Sequence, residues 1–437
     1  MSKKMMLIVG TLLSAFSFLP GQAQESPLVL TLEQALDIAL SENPTVKVAE
    51  QEIEKREYAR KGSYAALFPQ IDFSGSYNRT LKKQVMYFND MSVPVGTDND
   101  YSLGFSAGIP LINAQLWKSL EISALDVELA VEQARSSKID MINLVKKSFY
   151  SVLLAKDSYD VFLESYGNAL ENYLDIERKY NQGLVAEYDL IRADVTVKNT
   201  EPNVLQAENA LVLAKWQLKA LMAVDLDLNI DCEGDLTDYE ANMYADYISS
   251  DINLNENSTL VQMDIQTDQL QETLKYQKYA YLPSLSLSTN YNWTSMNDNF
   301  KFKDYVWNPY SMVGVTLSVP IFSGGSKYNT IRQTRVSINQ MKLQKEDTER
   351  NLELAVKQYR DNMATNIKQL EAARTAVAQS ERGYNIAQKR YDTGAGTLLE
   401  VNDAELAMTQ AKLNFNQAIY DYMVAKADLD KTLGRQF

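Results

Sequence analysis

The segment YLPSLSLSTNYNW, residues 281–293, decides the fold because it has the two-residue period of a β-strand. Large or apolar side chains alternate with small polar ones, the first set being Leu285, Leu287, Tyr291 and Trp293 and the second Ser284, Ser286, Ser288, Asn290 and Asn292. This alternation predicts a strand with one apolar and one polar face. A soluble sheet and a membrane strand share the pattern, so it does not say what the apolar face contacts.

Nearly the same strand occurs earlier in the chain, as LFPQIDFSGSYNR at residues 67–79. Pro69 and Pro283 lie 214 positions apart, as do SENPTV at 41–46 and NENSTL at 255–260. Two further pairs follow in the same order, Pro110 with Pro320 and KYNQGLV (179–185) with RYDTGAG (390–396). Landmarks that keep their order at this distance indicate a duplicated domain-sized unit and not a short solenoid repeat. We therefore expect a first repeat at 24–223, a connector at 224–238 and a second repeat at 239–437.

Each repeat has the same predicted plan. A helical stretch comes first, two strands of about 10 or 11 residues follow, and polar Asn/Asp-rich loops at roughly 81–100 and 295–310 join the paired strands. Uninterrupted helices are predicted at about 114–181 and 325–392, each on the order of 100 Å long at 1.5 Å per residue. A glycine-containing turn then leads into a returning helix of about 37 residues.

The last returning helix carries a heptad pattern. Small residues recur at one position (Ala404, Ala411, Ala418, Ala425), and large ones recur at the complementary position (Met408, Phe415, Tyr422, Leu429). This spacing predicts close coiled-coil packing.

The first residues, 1–23, have the pattern of a secretory signal: two lysines, a short apolar run and small residues at the end. We expect cleavage after Ala23 and a mature chain outside the cytoplasm. After residue 23 there is no uninterrupted apolar run of 18 residues, so any membrane crossing has to use strands.

Composition excludes several classes of function. The formal net charge of −14 argues against a nucleic-acid partner. The absence of histidine excludes histidine-dependent catalysis and the usual zinc sites, so an enzyme would be confined to carboxylate chemistry, and we expect no enzyme and no cofactor. The single cysteine, Cys232, forms no intramolecular disulfide and is expected to be a buried, inert thiol.

The strand lengths suit a tilted crossing of a bilayer, and aromatic residues lie near the strand ends. Four strands cannot stand alone in lipid, because both sheet edges would expose unpaired backbone groups. Three protomers would supply twelve strands and close the wall. The alternatives are a small soluble sheet or a secreted coiled-coil structural protein.

Four segments together resemble the TolC family of outer-membrane efflux channels: TLEQALDIALSENP, GLVAEYDLIRAD, VPIFSGG and RYDTGAGTLLEVNDAELAMTQAKLNF. The resemblance runs from Leu28 to Gly434. It implies a mainly α fold with membrane β-structure, in which a homotrimer builds a 12-stranded trans-subunit β-barrel from four strands per protomer and a long coiled-coil α-helical barrel. It also implies the outer membrane of a Gram-negative bacterium, with most of the helical part in the periplasm.

The resemblance further implies a function as the exit duct of a tripartite system with a periplasmic adaptor and an inner-membrane transporter. Small molecules are the favoured cargo. Type I protein secretion and metal-ion efflux remain alternatives, although the methionines are scattered and histidine is absent.

The candidate gate lies at the two helix turns. Glu400 and Asp403 are three residues apart and share one helix face, so a trimer would hold two stacked rings of carboxylates. By resemblance, these rings select cations over anions, and Asp189 and Tyr391 help to tie neighbouring helices shut. The alternative is that the acidic pair is an ordinary solvated helix N-terminus.

One position departs from the family pattern: Gly396 stands where an arginine would bridge this network, which puts a salt-bridge lock in doubt. The turn tips Gly183, Leu184, Gly394 and Ala395 suit the docking of an adaptor hairpin. They are equally typical of glycine turns that merely end a helix.

Overall fold

The structure is a computed structural model that describes residues 27–88, 91–244, 247 and 253–435. The expected signal segment 1–23 lies outside these described residues. The elements of the first half, in chain order, are β1 (Leu28–Leu30), α1 (Leu32–Glu42), α2 (Pro44–Ala65), β2 (Gln70–Arg79), β3 (Gln84–Phe88), β4 (Met91–Val95), β5 (Asn99–Ile112), α3 (Ala114–Asn181) and α4 (Glu187–Met222).

The second half follows a connector. The connector contains β6 (Ile230–Cys232) and a short 3₁₀ helix (Leu236–Asn242). The later elements are α5 (Ser258–Tyr279), β7 (Ser284–Asn297), β8 (Asn308–Ser318), α6 (Ser326–Asp392) and α7 (Leu398–Leu433). Both halves thus have the order helix, strand, strand, long helix and returning helix, and the predicted mainly helical fold with paired strands is confirmed.

The long helices α3 and α6 contain 68 and 67 residues, which corresponds to roughly 100 Å each. The returning helix α4 packs along α3, α7 packs along α6, and α7 also contacts α3. Both predicted heptad positions of α7 are inside this packing, since Ala411, Ala418 and Ala425 are buried together with Met408, Tyr422 and Leu429.

The four main strands form one antiparallel sheet in the order β2-β5-β7-β8. Its register places the apolar positions of neighbouring strands side by side: Ile109 pairs with Leu287, and Leu287 pairs with Val315. Since directly opposed residues point to the same face of a sheet, the four strands share one apolar face and one polar face. The apolar face is uncovered in the single chain, where Ile71, Phe73, Phe105, Val313, Val315 and Leu317 are exposed.

Aromatic side chains cluster where the sheet meets its loops. Tyr77 stacks on Tyr101 with ring centroids 4.7 Å apart. Tyr101 also contacts the rings of Phe302, Tyr305 and Trp307. An aromatic rim at one end of an apolar face is typical of a membrane interface.

The main core lies midway along the helices, where the connector packs on them. The connector strand β6 pairs in parallel with β1, and the hydroxyl of Tyr422 donates to the carbonyl oxygen of Met243 at 2.6 Å. The largest buried side chains here come from five helices and the connector: Leu36, Phe149, Leu153, Leu218, Met363, Tyr422 and Leu236.

The helical stretch predicted before the first pair of strands consists of two helices in the structure. It breaks at Asn43, whose ψ of 127° is extended because Pro44 disfavours a helical residue before it. The Asn43 side chain accepts from the N–H of Thr45 at 2.8 Å and donates to the carbonyl oxygen of Leu221 at 2.8 Å. The break is therefore capped and anchored to α4.

The loop predicted at 81–100 is also more ordered than expected. It contains the antiparallel hairpin β3–β4, in which Met86 pairs with Val93. Strands β5 and β7 contain 14 residues each and so extend beyond the predicted 10 or 11. Within the described ranges, no helix combines the length and the apolar character needed to cross a bilayer.

Candidate gate at the helix turns

Two similar turns reverse the chain at the far end of the long helices. In the first, Gly183 has a φ of 77°, and the N–H of Leu184 donates to the carbonyl oxygen of Lys179 at 2.9 Å. In the second, Gly394 has a φ of 74°, and the N–H of Ala395 donates to the carbonyl oxygen of Arg390 at 2.7 Å. Both are Schellman motifs, in which glycine supplies the left-handed residue that ends the helix.

Glu400 caps the helix that follows the second turn. The N–H of Glu400 donates to the hydroxyl oxygen of Thr397 at 3.3 Å, and the N–H of Thr397 donates to Glu400 Oε2 at 3.2 Å. This reciprocal pair is a capping box, which satisfies backbone donors at the start of α7. The carboxylate therefore has a local structural role, and it also stays exposed to solvent.

Asp403 lies one turn further along α7 and is exposed. It shares a helix face with Glu400, as the spacing predicts. Within the described part of the chain, Asp403 makes no hydrogen bond and no ion pair, so its full charge is available to solvent or to a neighbouring subunit.

Gly396 is packed between the residues around it. A Cβ atom at this position would come within 3.0 Å of both Arg390 Cβ and Glu400 Oε2. A longer side chain would therefore displace the turn. The arginine closest to Glu400 is instead Arg390, whose Nη1 lies 3.7 Å from Glu400 Oε2 and whose Nη2 donates to the carbonyl oxygen of Ala395 at 3.1 Å.

Tyr391 lies between the two turns, packed beside a small apolar cluster. The cluster consists of Ile176, Ala193 and Leu398, which come from α3, α4 and α7. The Tyr391 hydroxyl is buried and has no hydrogen-bond partner among the described residues. Burial raises the pKa of this hydroxyl, and the negative charge of Asp189 raises the pKa further. Asp189 is thus close to Tyr391, but no hydrogen bond joins them in the single chain.

Lys179 connects the two turns electrostatically. Its ammonium group lies 2.6 Å from Asp175 on its own helix and 3.6 Å from Asp392 on α6. The same group lies over the ring of Tyr391, 5.1 Å from the centroid, in a cation–π contact.

Sequence reasoning did not select Lys179 or Arg390, although the duplication contains the signal. The two residues are 211 positions apart and precede a tyrosine in both copies, as KY and RY. Asp189 and Glu400 are also 211 apart, so both copies carry a carboxylate at this position in the first turn of the returning helix, and the first copy carries a second one, Glu187. The structure brings Asp189, Tyr391 and Leu398 together, whereas Glu400 and Asp403 lie on the exposed side of α7.

No other candidate centre emerges from the described residues, which hold no group of three or more His, Cys, Asp or Glu side chains able to bind a metal ion. Cys232 is only 2% exposed, as predicted. Burial raises the pKa of its thiol to about 12.

Comparison with known proteins gives consistent matches. The outer membrane protein TolC of Vibrio cholerae is 24% identical over 377 residues, which cover 85% of this chain and 83% of that protein. The cobalt-zinc-cadmium resistance protein CzcC of Cupriavidus metallidurans is 23% identical over 427 residues, covering 96% and 93%. The crystal structure of the Campylobacter jejuni CmeC outer membrane channel has a TM-score of 0.74 at 19% identity, covering 93% of this chain and 86% of that one.

The family comparison covers both repeats. A model of the outer membrane efflux protein family matches residues 35–224 and 250–435. Together with the fold and the relatives above, this places the protein in the outer membrane as an efflux duct. The chain belongs to the outer membrane efflux protein family.

Proposed function

We propose that three copies of this chain form a closed duct in which each copy contributes four strands to one 12-stranded wall. The observation that carries the proposal is the four-stranded sheet with a single apolar face, joined to helices of roughly 100 Å. Its edge strands β2 and β8 have unpaired backbone groups, which lipid does not tolerate. Pairing β8 of one copy with β2 of the next removes every edge under threefold symmetry.

The repeats at 24–223 and 239–437, joined by the connector 224–238, would then supply two quasi-equivalent wall panels per copy. The helices α3, α4, α6 and α7 of three copies would continue the duct as a 12-helix barrel through the periplasm. The duct is a passive conduit and not an enzyme, and it requires no cofactor.

Proteins of this family work with efflux or secretion pumps and their adaptors. We place adaptor docking at the turn tips Gly183, Leu184, Gly394 and Ala395. Leu184 is 70% exposed, and a Cβ atom at Gly183 or Gly394 would meet open space, with no other described segment within 4 Å. These tips are therefore open to a partner hairpin. Small molecules are the cargo we favour, with protein export and metal-ion efflux as the alternatives.

An accumulation assay tests this assignment. Cells that lack the chain should accumulate a fluorescent efflux dye, and the intact chain should restore export. Leu184→Glu should abolish the restoration without changing the amount of chain in the outer membrane, because the charge sits at the docking tip. Leu226→Glu is the matched control, since Leu226 is 51% exposed but lies in the connector. Equal export by both variants would refute docking at the turns.

We propose that Glu400 and Asp403 form the selectivity rings of the closed end, and that Asp189 and Tyr391 stabilise closure. The Tyr391 hydroxyl is buried and has no hydrogen-bond partner among the described residues, which supports the closure role of Tyr391. A buried hydroxyl without a partner destabilises the folded protein by about 1–3 kcal/mol until it donates to an acceptor. A bond from Tyr391 to a carboxylate made only on closure would recover that cost.

Tyr391→Phe tests the closure role. Loss of about 1 kcal/mol of closure free energy should raise the open fraction about fivefold, which single-channel recording in planar bilayers measures. Tyr180→Phe is the control, because Tyr180 is the equivalent residue of the first copy and lies outside the apolar cluster. An unchanged open fraction for Tyr391→Phe would remove Tyr391 from the gate.

A further inference from the structure

The polar face of the sheet is almost free of charge. Its register aligns small and uncharged side chains across β5, β7 and β8, among them Ser102, Ser106, Ser286, Ser288, Asn290, Asn292, Met312 and Thr316. Glycines at 104, 108 and 314 add no side chain to this face. A cleft on the same face is lined by Asp72, Ser106, Ser288 and Asn290. This face therefore has few charged groups that would hold a permeating solute.

Two acidic residues interrupt that neutrality among the polar-face positions of the four strands. Asp100 lies at the loop end of β5, where it accepts a hydrogen bond from the hydroxyl of Thr97 at 2.5 Å. Asp72 lies within β2, is exposed, and makes no hydrogen bond or ion pair to any described residue. In register, Asp72 lies beside Ser106, which in turn lies beside Asn290. Its charge thus has no counter-charge on the neighbouring strands.

The free edge of β2 does not change this conclusion. In the proposed trimer that edge pairs with β8 of the next copy, and β8 (NPYSMVGVTLS) contains no Asp, Glu, Lys or Arg. No pairing register between β2 and β8 would therefore place a cation of β8 opposite Asp72. Three unpaired carboxylates would face the lumen at one level of the membrane wall.

We propose that Asp72 is a second charge-selecting residue of the duct, located in the membrane wall and separate from the acidic residues at the helix turns. The proposal rests on the trimeric duct described above. Three unit charges at about 10 Å in water enrich a monovalent cation about fivefold in 0.01 M salt, and the enrichment vanishes in 1 M salt. At low ionic strength, the part of the duct inside the membrane wall would therefore favour cationic over anionic solutes.

Cysteine substitution provides the test, because native Cys232 is buried. In a duct whose turn carboxylates are neutralised by Glu400→Gln and Asp403→Asn, Asp72→Cys should react quickly with water-soluble methanethiosulfonates. Attachment of a sulfonate should keep the cation preference at 0.01 M salt, and attachment of a trimethylammonium group should reverse it. Phe73→Cys is the matched control, since its side chain lies on the apolar face and should react slowly.

Three outcomes separate the claims. Absence of any channel activity from the unmodified trimer contradicts the proposed duct itself. A conducting duct in which Asp72→Cys fails to react contradicts the lumenal position of Asp72. A conducting duct whose permeability ratio is the same after both reagents contradicts its role in selection.

Discussion

Substituting glutamine for Glu400 separates two roles of this carboxylate, helix capping and charge. Glutamine serves at the same position of a capping box, so Glu400→Gln should preserve the contact with the Thr397 N–H, which is 3.2 Å long. We expect a change of less than about 0.5 kcal/mol in the free energy of unfolding. Glu400→Ala loses that contact and should cost about 0.5–1 kcal/mol. The glutamine variant thus removes the charge from an intact turn.

The charge itself should be largely uncompensated. The neighbouring Arg390 is 3.7 Å from Glu400 Oε2, but both side chains are about half exposed, so the pair is worth less than about 1 kcal/mol. In the proposed trimer, Glu400 and Asp403 together would place six carboxylates around the proposed closed end. At about 10 Å and 0.1 M salt, Coulomb attraction by six charges enriches a monovalent cation about fivefold.

The assay is the reversal potential of reconstituted trimers in a planar bilayer under a potassium chloride gradient. The reversal potential of the wild type should have the sign that indicates cation selectivity. The reversal potential of the double variant Glu400→Gln/Asp403→Asn should move most of the way towards zero. Arg390→Gln should move the potential in the opposite direction, because it removes the nearest positive charge. A double variant that reverses at the wild-type potential would show that these carboxylates are ordinary solvated residues of a helix N-terminus.

Three further predictions concern other parts of the chain. Val315→Arg places a charge on the apolar face and should cost about 2–4 kcal/mol near the bilayer midplane, so it should reduce the yield of assembled trimer far more than Thr316→Arg on the polar face; equal yields would mean that the faces are misassigned. Cys232, with a thiol pKa of about 12, should resist maleimide at pH 7.5 until the chain is denatured, and rapid native labelling would contradict its burial. Asp157 is desolvated, which raises its pKa to about 6; a raised pKa favours the protonated folded state, so stability falls as pH rises from about 4 to about 6. Asp157→Asn, which keeps an acceptor for the Leu236 N–H, should therefore raise the melting temperature at pH 7.5 and not at pH 4, and an equal effect at both pH values would argue against the burial of this carboxyl.

The sequence was sufficient for the long elements because their signals are local. Alternation in YLPSLSLSTNYNW specifies a strand and its faces, and the observed register keeps Leu285, Leu287, Tyr291 and Trp293 on one face. The long helices ended within a residue or two of the predicted positions, since glycine at 183 and 394 supplies the left-handed turn that stops each one.

Two details of the fold were not predicted from the sequence. The helix break at Asn43 follows from Pro44, but its anchoring through a hydrogen bond to Leu221, 178 positions away, cannot be read from the local sequence. The hairpin β3–β4 lies in a segment whose Asn and Asp residues suggested an irregular loop, although Val, Met, Tyr and Phe give its strands β propensity.

The candidate gate likewise combines local features, which the sequence predicts, with long-range contacts, which it does not. The spacing of Glu400 and Asp403 predicts a shared helix face, but it does not reveal that Glu400 caps its own helix. The approach of Lys179 to Tyr391 joins two turns that are far apart in sequence. Only the folded chain brings the ends of α3 and α6 together, where Lys179 also lies 3.6 Å from Asp392.

The measurement that tests the central claim most directly is the mass of the native particle extracted from the outer membrane. Native mass spectrometry of the detergent-solubilised protein should give three copies of the chain, each somewhat below the 49.4 kDa of this sequence, since we expect cleavage after Ala23. The particle should be found in the outer-membrane fraction and should carry no covalent lipid. A monomer in the soluble periplasmic fraction would contradict the account, because the apolar face of its four-stranded sheet would then be exposed to water.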